Sequence, residues 1–194
     1  PACTPESVRE RLDHFTARGV RVLFPVHKFD NGFSAGDGNR GFIEMGNVIN
    51  SNHYSNFTTD CDLSVPAPFD RGGVVFGGLN QPRPVYDAPG PLDFTDFDQE
   101  PAAALVPYLG LLGEPPLEGE YCQNAGLTPL GETLLTEMML RGMIIEIDHL
   151  PRRSYARAVQ MLIENNYPAA GTHGSNANGT LYALGGVSAL GLPR

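Results

Sequence analysis

Two histidines stand where an apolar run gives way to a polar turn, at Ile147-Asp148-His149 and Gly171-Thr172-His173. Each follows a helical pattern and then a short run with strand character. A neutral imidazole is the commonest protein ligand for a transition metal, and a rigid strand end fixes its direction. Two imidazoles leaving neighbouring parallel strands at one height can share an ion. Their ring nitrogens would then lie about 3–4 Å apart, as two ligands at about 2.0–2.1 Å from one zinc require. The competing reading is that both rings bond loop backbone at their strand ends. A third histidine, His27, closes VRVLFPVH in the same way. There it would orient a substrate carboxylate or stabilise an oxyanion, or it would pack between its strand and the loop that follows.

The neighbouring polar residues have weaker claims. Side chains alternate along a strand, so Asp148 should point away from His149 and bond backbone or a helix N-terminus behind the sheet. Glu146 shares the parity of Asp148. Asp30 and Asn31, just past His27, fit turn formation better than ligation. His53 lies in a polar loop, where solvation is expected, and His14 on the first helix, where a structural role is expected.

The elements that would position these groups are legible. Thr4 can cap a helix over Pro5 to Ala17 with Pro5 at its first position, and Val8, Leu12 and Phe15 form its apolar stripe. Gly19 then stops it, and Val20 to His27 reads as a buried parallel strand. Thr128 and Pro129 open a second helix with Leu134, Leu135, Met138 and Met139 on its apolar face. Gly142 stops that helix, and Met143 to Ile147 is the next strand. A third helix spans about Arg152 to Asn165, with Ala156, Val159, Leu162 and Ile163 expected inward. Tyr167 to Thr172 is the third strand. Between Lys28 and Ala125 the periodicity fades into Gly, Asn, Asp and Pro. Within it, Gly73–Gly78 reads as a short strand or turn and Gln99–Leu112 as a helix. The whole, 28–125, reads as a long insertion over the strand ends.

Composition narrows the function classes. The 194 residues suffice for one core and do not call for a second domain. Hydrophobic residues make up 41% and charged residues 18%, which favours folding over disorder. A formal net charge of −9, with no basic cluster beyond Arg152-Arg153, argues against a nucleic-acid binder. No apolar run approaches the roughly 20 residues of a membrane-crossing helix. Cys3, Cys61 and Cys122 are too scattered for a structural zinc site, but allow one disulfide plus an odd thiol in an oxidising compartment. The triplets Asn56-Phe57-Thr58 and Asn178-Gly179-Thr180 are glycosylation sequons in form. Together these features lean towards a secreted protein. An initial Pro in place of Met points to a processed chain or a fragment.

Three motifs carry a resemblance. GLTPLGETLLTEMMLRGMIIEIDHL resembles the membrane (renal) dipeptidase family of zinc peptidases in the amidohydrolase superfamily, where a "GLT-x-x-G" helix leads to an "LGM-I-D-x-SH" strand. PAAGTHGSN is similar to that family's following "PV-x-x-SHS" strand, and GVRVLFPVHKFDN to its "GxRYLTLTH…N" strand. Order and element type agree over roughly a third of the chain. The resemblance implies an α/β fold that is part of a TIM-like (β/α) barrel, about strands four to six of eight. It also implies one or two zinc ions, one of them held by His149 and His173, and substrate held by His27. A barrel collects its chemistry at the C-terminal ends of its strands, and a full one needs on the order of 250 residues.

The departures are specific. The family's H-x-D pair and bridging Glu belong upstream of the GVRVLFPVHKFDN motif, where this sequence has one helix. Its late Asp would fall beyond Arg194, and NANGTLYALGG offers no basic substrate-binding residue. Asp148 and Thr172 replace the serine before each metal-binding histidine. The sequence therefore supports two expectations. One is a segment of a secreted metal-dependent hydrolase that cleaves an amide or related bond in a small-molecule or peptide substrate, completed by other segments of the same precursor. The other is a non-catalytic structural or ligand-binding segment of an extracellular assembly.

Overall fold

The computed structural model describes residues 3–36, 57–62, 64–65 and 122–171. Three helices and three short parallel strands frame the core. Helix α1 spans Pro5–Ala17, strand β1 Val22–Leu23, helix α2 Pro129–Leu140, strand β4 Ile144–Glu146, helix α3 Arg152–Glu164 and strand β5 Ala169–Ala170. The strands lie in the order β1-β4-β5 and both pairings are parallel, with Leu23 opposite Ile145 and Ile145 opposite Ala169.

The helix starts follow the sequence. Thr4 accepts a hydrogen bond from the Ser7 backbone N–H, and the Ser7 hydroxyl lies 2.8 Å from the Thr4 N–H, closing a capping box ahead of Pro5. Thr128 accepts from Gly131 N–H at 3.0 Å, ahead of Pro129. Helix α3 differs, because Pro151 precedes it and supplies no side-chain cap.

All three helices end by one device. Gly19 (φ 91°), Gly142 (φ 63°) and Asn166 (φ 49°) take the left-handed conformation one residue past the cap. The next residue then bonds back to the helix, Val20 to Phe15 O, Met143 to Met138 O and Tyr167 to Leu162 O. These are Schellman closures, which glycine enters without strain and asparagine tolerates. They also explain why two strands are shorter than their apolar runs. Met143 and Tyr167 are spent on the closures before β4 and β5 begin. In β1, Pro25 has no N–H for the ladder, so pairing stops at Leu23.

The core lies between the sheet and the helices. Val8 and Leu12 of α1, Leu135 and Met138 of α2, Ile145 of β4 and Leu162 of α3 are all buried. On α3 the buried stripe is Tyr155, Ala158, Met161 and Leu162. The expected inner face was rotated from this: Ile163 is 50% exposed and Ala156 is exposed. Tyr155 and Met161 extend the Ala158–Leu162 stripe at i, i+3 spacing, which the shorter aliphatic reading overlooked. Ion pairs stitch the helices outside the core. Glu137 accepts from Arg141 at 2.6 Å and from Arg9 at 2.7 Å, joining α2 to α1. These two guanidinium hydrogen bonds hold its carboxyl below the usual range.

Among the described residues, two further strands belong to the insertion. Phe57–Thr58 (β2) pairs antiparallel with Cys122–Gln123 (β3), Thr58 opposite Cys122. Beside this pairing, Cys61 and Cys122 form a disulfide across 61 positions of sequence, with Cα atoms 5.9 Å apart. Cys3 is the odd thiol, free and exposed. The readings for Gly73–Gly78 and Gln99–Leu112 fall outside the described residues.

Candidate functional site

His27 and His149 meet. Their ring centroids are 4.2 Å apart with planes at 60°. Phe24, three residues before His27, lies against both rings, at 6.1 Å from His27 and 5.9 Å from His149. His149 is 4% exposed, whereas His27 is exposed. One imidazole is thus held inside the protein edge and the other stands at it.

His149 sits in a turn rather than on a strand. Strand β4 stops at Glu146, Leu150 N–H donates to Ile147 O at 3.3 Å, and His149 has φ 66°. Left-handed backbone at a non-glycine residue costs about 1–3 kcal/mol and persists only where the surroundings enforce it. Leu150 at 1% exposure supplies that enforcement by anchoring the turn in the core. The strict alternation expected through Asp148 and His149 therefore does not apply. Asp148 and Glu146 are nonetheless both buried, and Asp148 N–H donates to the Glu146 carboxylate at 3.3 Å. Tyr155 of α3 has its hydroxyl pKa raised, by burial first and then by the charge of Asp148. Asp148 therefore lies within electrostatic reach of α3.

The loop carrying His27 is closed on itself. Asn31 accepts from Phe33 N–H (2.7 Å) and Ser34 N–H (3.1 Å), and its own amide donates to Pro25 O (3.0 Å). Asp30 accepts from Gly36 N–H at 2.7 Å. Both residues thus form turns, as expected. A side chain at Gly36 would run into the Lys28 carbonyl, and one at Gly131 into that of Phe33. The same loop docks on α2, where Thr128 N–H donates to Phe33 O at 2.9 Å and its hydroxyl to Gly32 O at 2.7 Å. It also reaches α3, with the Ser34 and Ser154 hydroxyl oxygens 2.8 Å apart.

His173 lies outside the described residues, as does His53. The described chain runs to Gly171, next to the His149 turn, because Ile147 N–H donates to Ala170 O at 3.0 Å. His14 is exposed on α1, its Nδ1 2.8 Å from the Arg18 guanidinium and remote in role from the pair. Among the described residues no group of three or more His, Cys, Asp or Glu is arranged to hold a metal. An apolar recess of about 390 Å³ between α1, β1 and α2 is lined by Val8, Leu12, Phe15 and Leu134, with Ser7, Arg11 and Cys3 as its polar or reactive neighbours among the described residues.

Sequence reasoning missed three participants. Phe24 escaped because an aromatic in an apolar strand reads as core. Arg152 and Arg153 were read only as a basic pair, yet Arg152 is 2% exposed and both side chains bond backbone carbonyls of the insertion. The signal available was their place, immediately after the His149 turn at an uncapped helix start.

No family model, curated protein or solved structure matches this chain. No described helix is long and apolar enough to cross a membrane.

Proposed function

We propose that the chain is a segment of a metal-dependent hydrolase similar to dipeptidases, with its chemistry at the His27–His149 pair. The observation that carries this reading is the 4.2 Å approach of the two rings at the C-terminal side of neighbouring parallel strands. The three strands β1, β4 and β5 would be successive strands of a (β/α) barrel, whose strand ends are where catalytic groups gather.

The donor chemistry fits a borderline ion such as zinc. His149 is a buried imidazole on a rigid turn, beside the strand that leads to His173, and these two would be the ligands. Bound zinc would polarise a scissile carbonyl and lower the pKa of a water molecule. His27, exposed and in contact with His149, would hold the substrate carboxylate or the oxygen that becomes negative during attack. Phe24 limits the freedom of both rings. The remaining carboxylate ligands would come from other segments of the same precursor. The Cys61–Cys122 disulfide supports a secreted setting, because such bonds persist in oxidising compartments.

Elemental mass spectrometry of the dialysed chain, with His149→Ala and His27→Ala beside it, tests the reading. The unmodified chain should retain about one zinc, and His149→Ala should lose it. His27→Ala should keep the metal and weaken binding of a dipeptide analogue. Loss of metal in His27→Ala instead would make His27 a ligand. Absence of metal from the unmodified chain would leave the non-catalytic reading standing.

A further inference from the structure

The first turn of α3 is a junction of four segments. It follows the His149 turn directly, separated only by Leu150 and Pro151, both buried. Arg153 donates to Asn124 O at 3.0 Å and to its side-chain oxygen at 2.8 Å, and also to Asp60 O at 3.3 Å. Arg152, fixed deeper, donates to Asp62 O at 3.1 Å and to Val65 O. Ser154 meets Ser34 of the His27 loop. Arg153 therefore bonds both sides of the insertion at once, and its hydrogen bonds hold together only while Asp60 and Asn124 stay near each other.

Among the described residues those two sides are joined by a short ladder, which pairs Phe57 with Gln123 and Thr58 with Cys122, by Arg153 and by one covalent bond. The Cys61–Cys122 bond lies at the end of the ladder.

We propose that this disulfide is a redox-sensitive lock on the His149 turn, with Arg152 and Arg153 as the positioning residues that transmit it. The lock concerns the same site as the hydrolase reading and, as a control of activity, rests on it. A dithiol opens it in two balanced steps. One thiolate attacks Sγ of Cys61, which is less buried than Cys122, and Cys122 leaves as a thiolate that takes up a proton. The second thiol of the reagent then displaces Cys61 as a thiol, and the reagent departs as its cyclic disulfide. Two electrons pass from reagent to protein. Residues 60–62 then separate from 122–124, Arg153 loses a carbonyl partner, and the strained turn at His149 keeps its Leu150 anchor but loses the support that α3's first turn adds to it.

Hydrogen exchange of the full chain, read by mass spectrometry before and after dithiothreitol, tests the lock. Amides from Asp148 to Ser154 should exchange about tenfold faster after reduction, with α1 and α2 unchanged. The double variant Cys61→Ser/Cys122→Ser should match the reduced protein. Arg153→Ala, with the disulfide intact, should reproduce part of the effect, and Arg153→Lys should restore some of it. Unchanged exchange from 148 to 154 after reduction would overturn the proposal. So would an equal rise in α1 and α2, which would make the bond a general staple. A parallel cobalt(II) titration, followed by its visible spectrum, separates the two readings. Failure to bind cobalt in either redox state sinks the metal reading, whereas the exchange data judge the lock independently.

Discussion

The parallel sheet with its helices and the ribbon of the insertion are held by different forces. Around β1, β4 and β5 the chain buries aliphatic side chains from three helices, and each of these three ends in the same Schellman closure. In the ribbon, among the described residues, two ladder pairs, one disulfide and two arginines join buried side chains such as Phe57. The first region is stabilised by area removed from water, which spreads over many residues. The second adds a few directional and covalent links to its buried side chains, so single changes at those links reach further. The histidine pair sits where the two regions join.

The largest expected effect tests that contrast at the covalent link. In the chain-entropy picture a disulfide across 61 positions is worth about 4 kcal/mol. Urea titration of Cys61→Ser/Cys122→Ser should show a loss of this order, with the ribbon melting first. A single cooperative transition with unchanged midpoint would erase the distinction between the regions. Next comes Leu135→Ala, which should cost about 2–4 kcal/mol, because the side chain is fully buried. A much smaller loss would mean that the helical layer is looser than its burial implies.

The helix-joining ion pairs give a smaller effect with a defined pH sign. Glu137 has a folded pKa below its ordinary value of 4.5, chiefly through Arg141 and then Arg9. Its contribution is therefore complete above that value and fades as pH falls through the lower, folded one. Glu137→Gln should cost about 1 kcal/mol at neutral pH and flatten the acid limb of the stability profile. A profile unchanged below pH 4.5 would remove Glu137 from the account. The smallest effect is Thr128→Ala. It should cost about 1 kcal/mol or less in stability through the lost cap.

Legibility in the sequence followed the same division. The starts of α1 and α2 were readable from Thr-Pro pairs, and their ends from Gly19 and Gly142, because capping is local chemistry. Asn166 closes α3 equally well but is a weaker signal than glycine. Strand lengths were overestimated because apolar runs do not record which residues a helix closure consumes. The His27–His149 contact follows from pairing β1 with β4, a non-local event across more than a hundred residues. Shared strand-end histidines hinted at it, yet nothing local gave the left-handed turn at His149. The partnership of Cys61 with Cys122 was open for the same reason.

The two crowded glycines near His27 have a consequence for how this chain can change over generations. Gly36 faces the Lys28 carbonyl and Gly131 that of Phe33, with no room for a methyl group at either. Saturation mutagenesis should therefore find two silent columns there, each intolerant of every replacement. At neighbouring Asn31, by contrast, aspartate keeps the acceptor oxygen but loses the donor to Pro25 O, so it should be tolerated at a cost in stability. The segment bearing His27 can then drift in charge but not in backbone path. Lineages descending from this sequence would vary what the loop presents while inheriting where it runs.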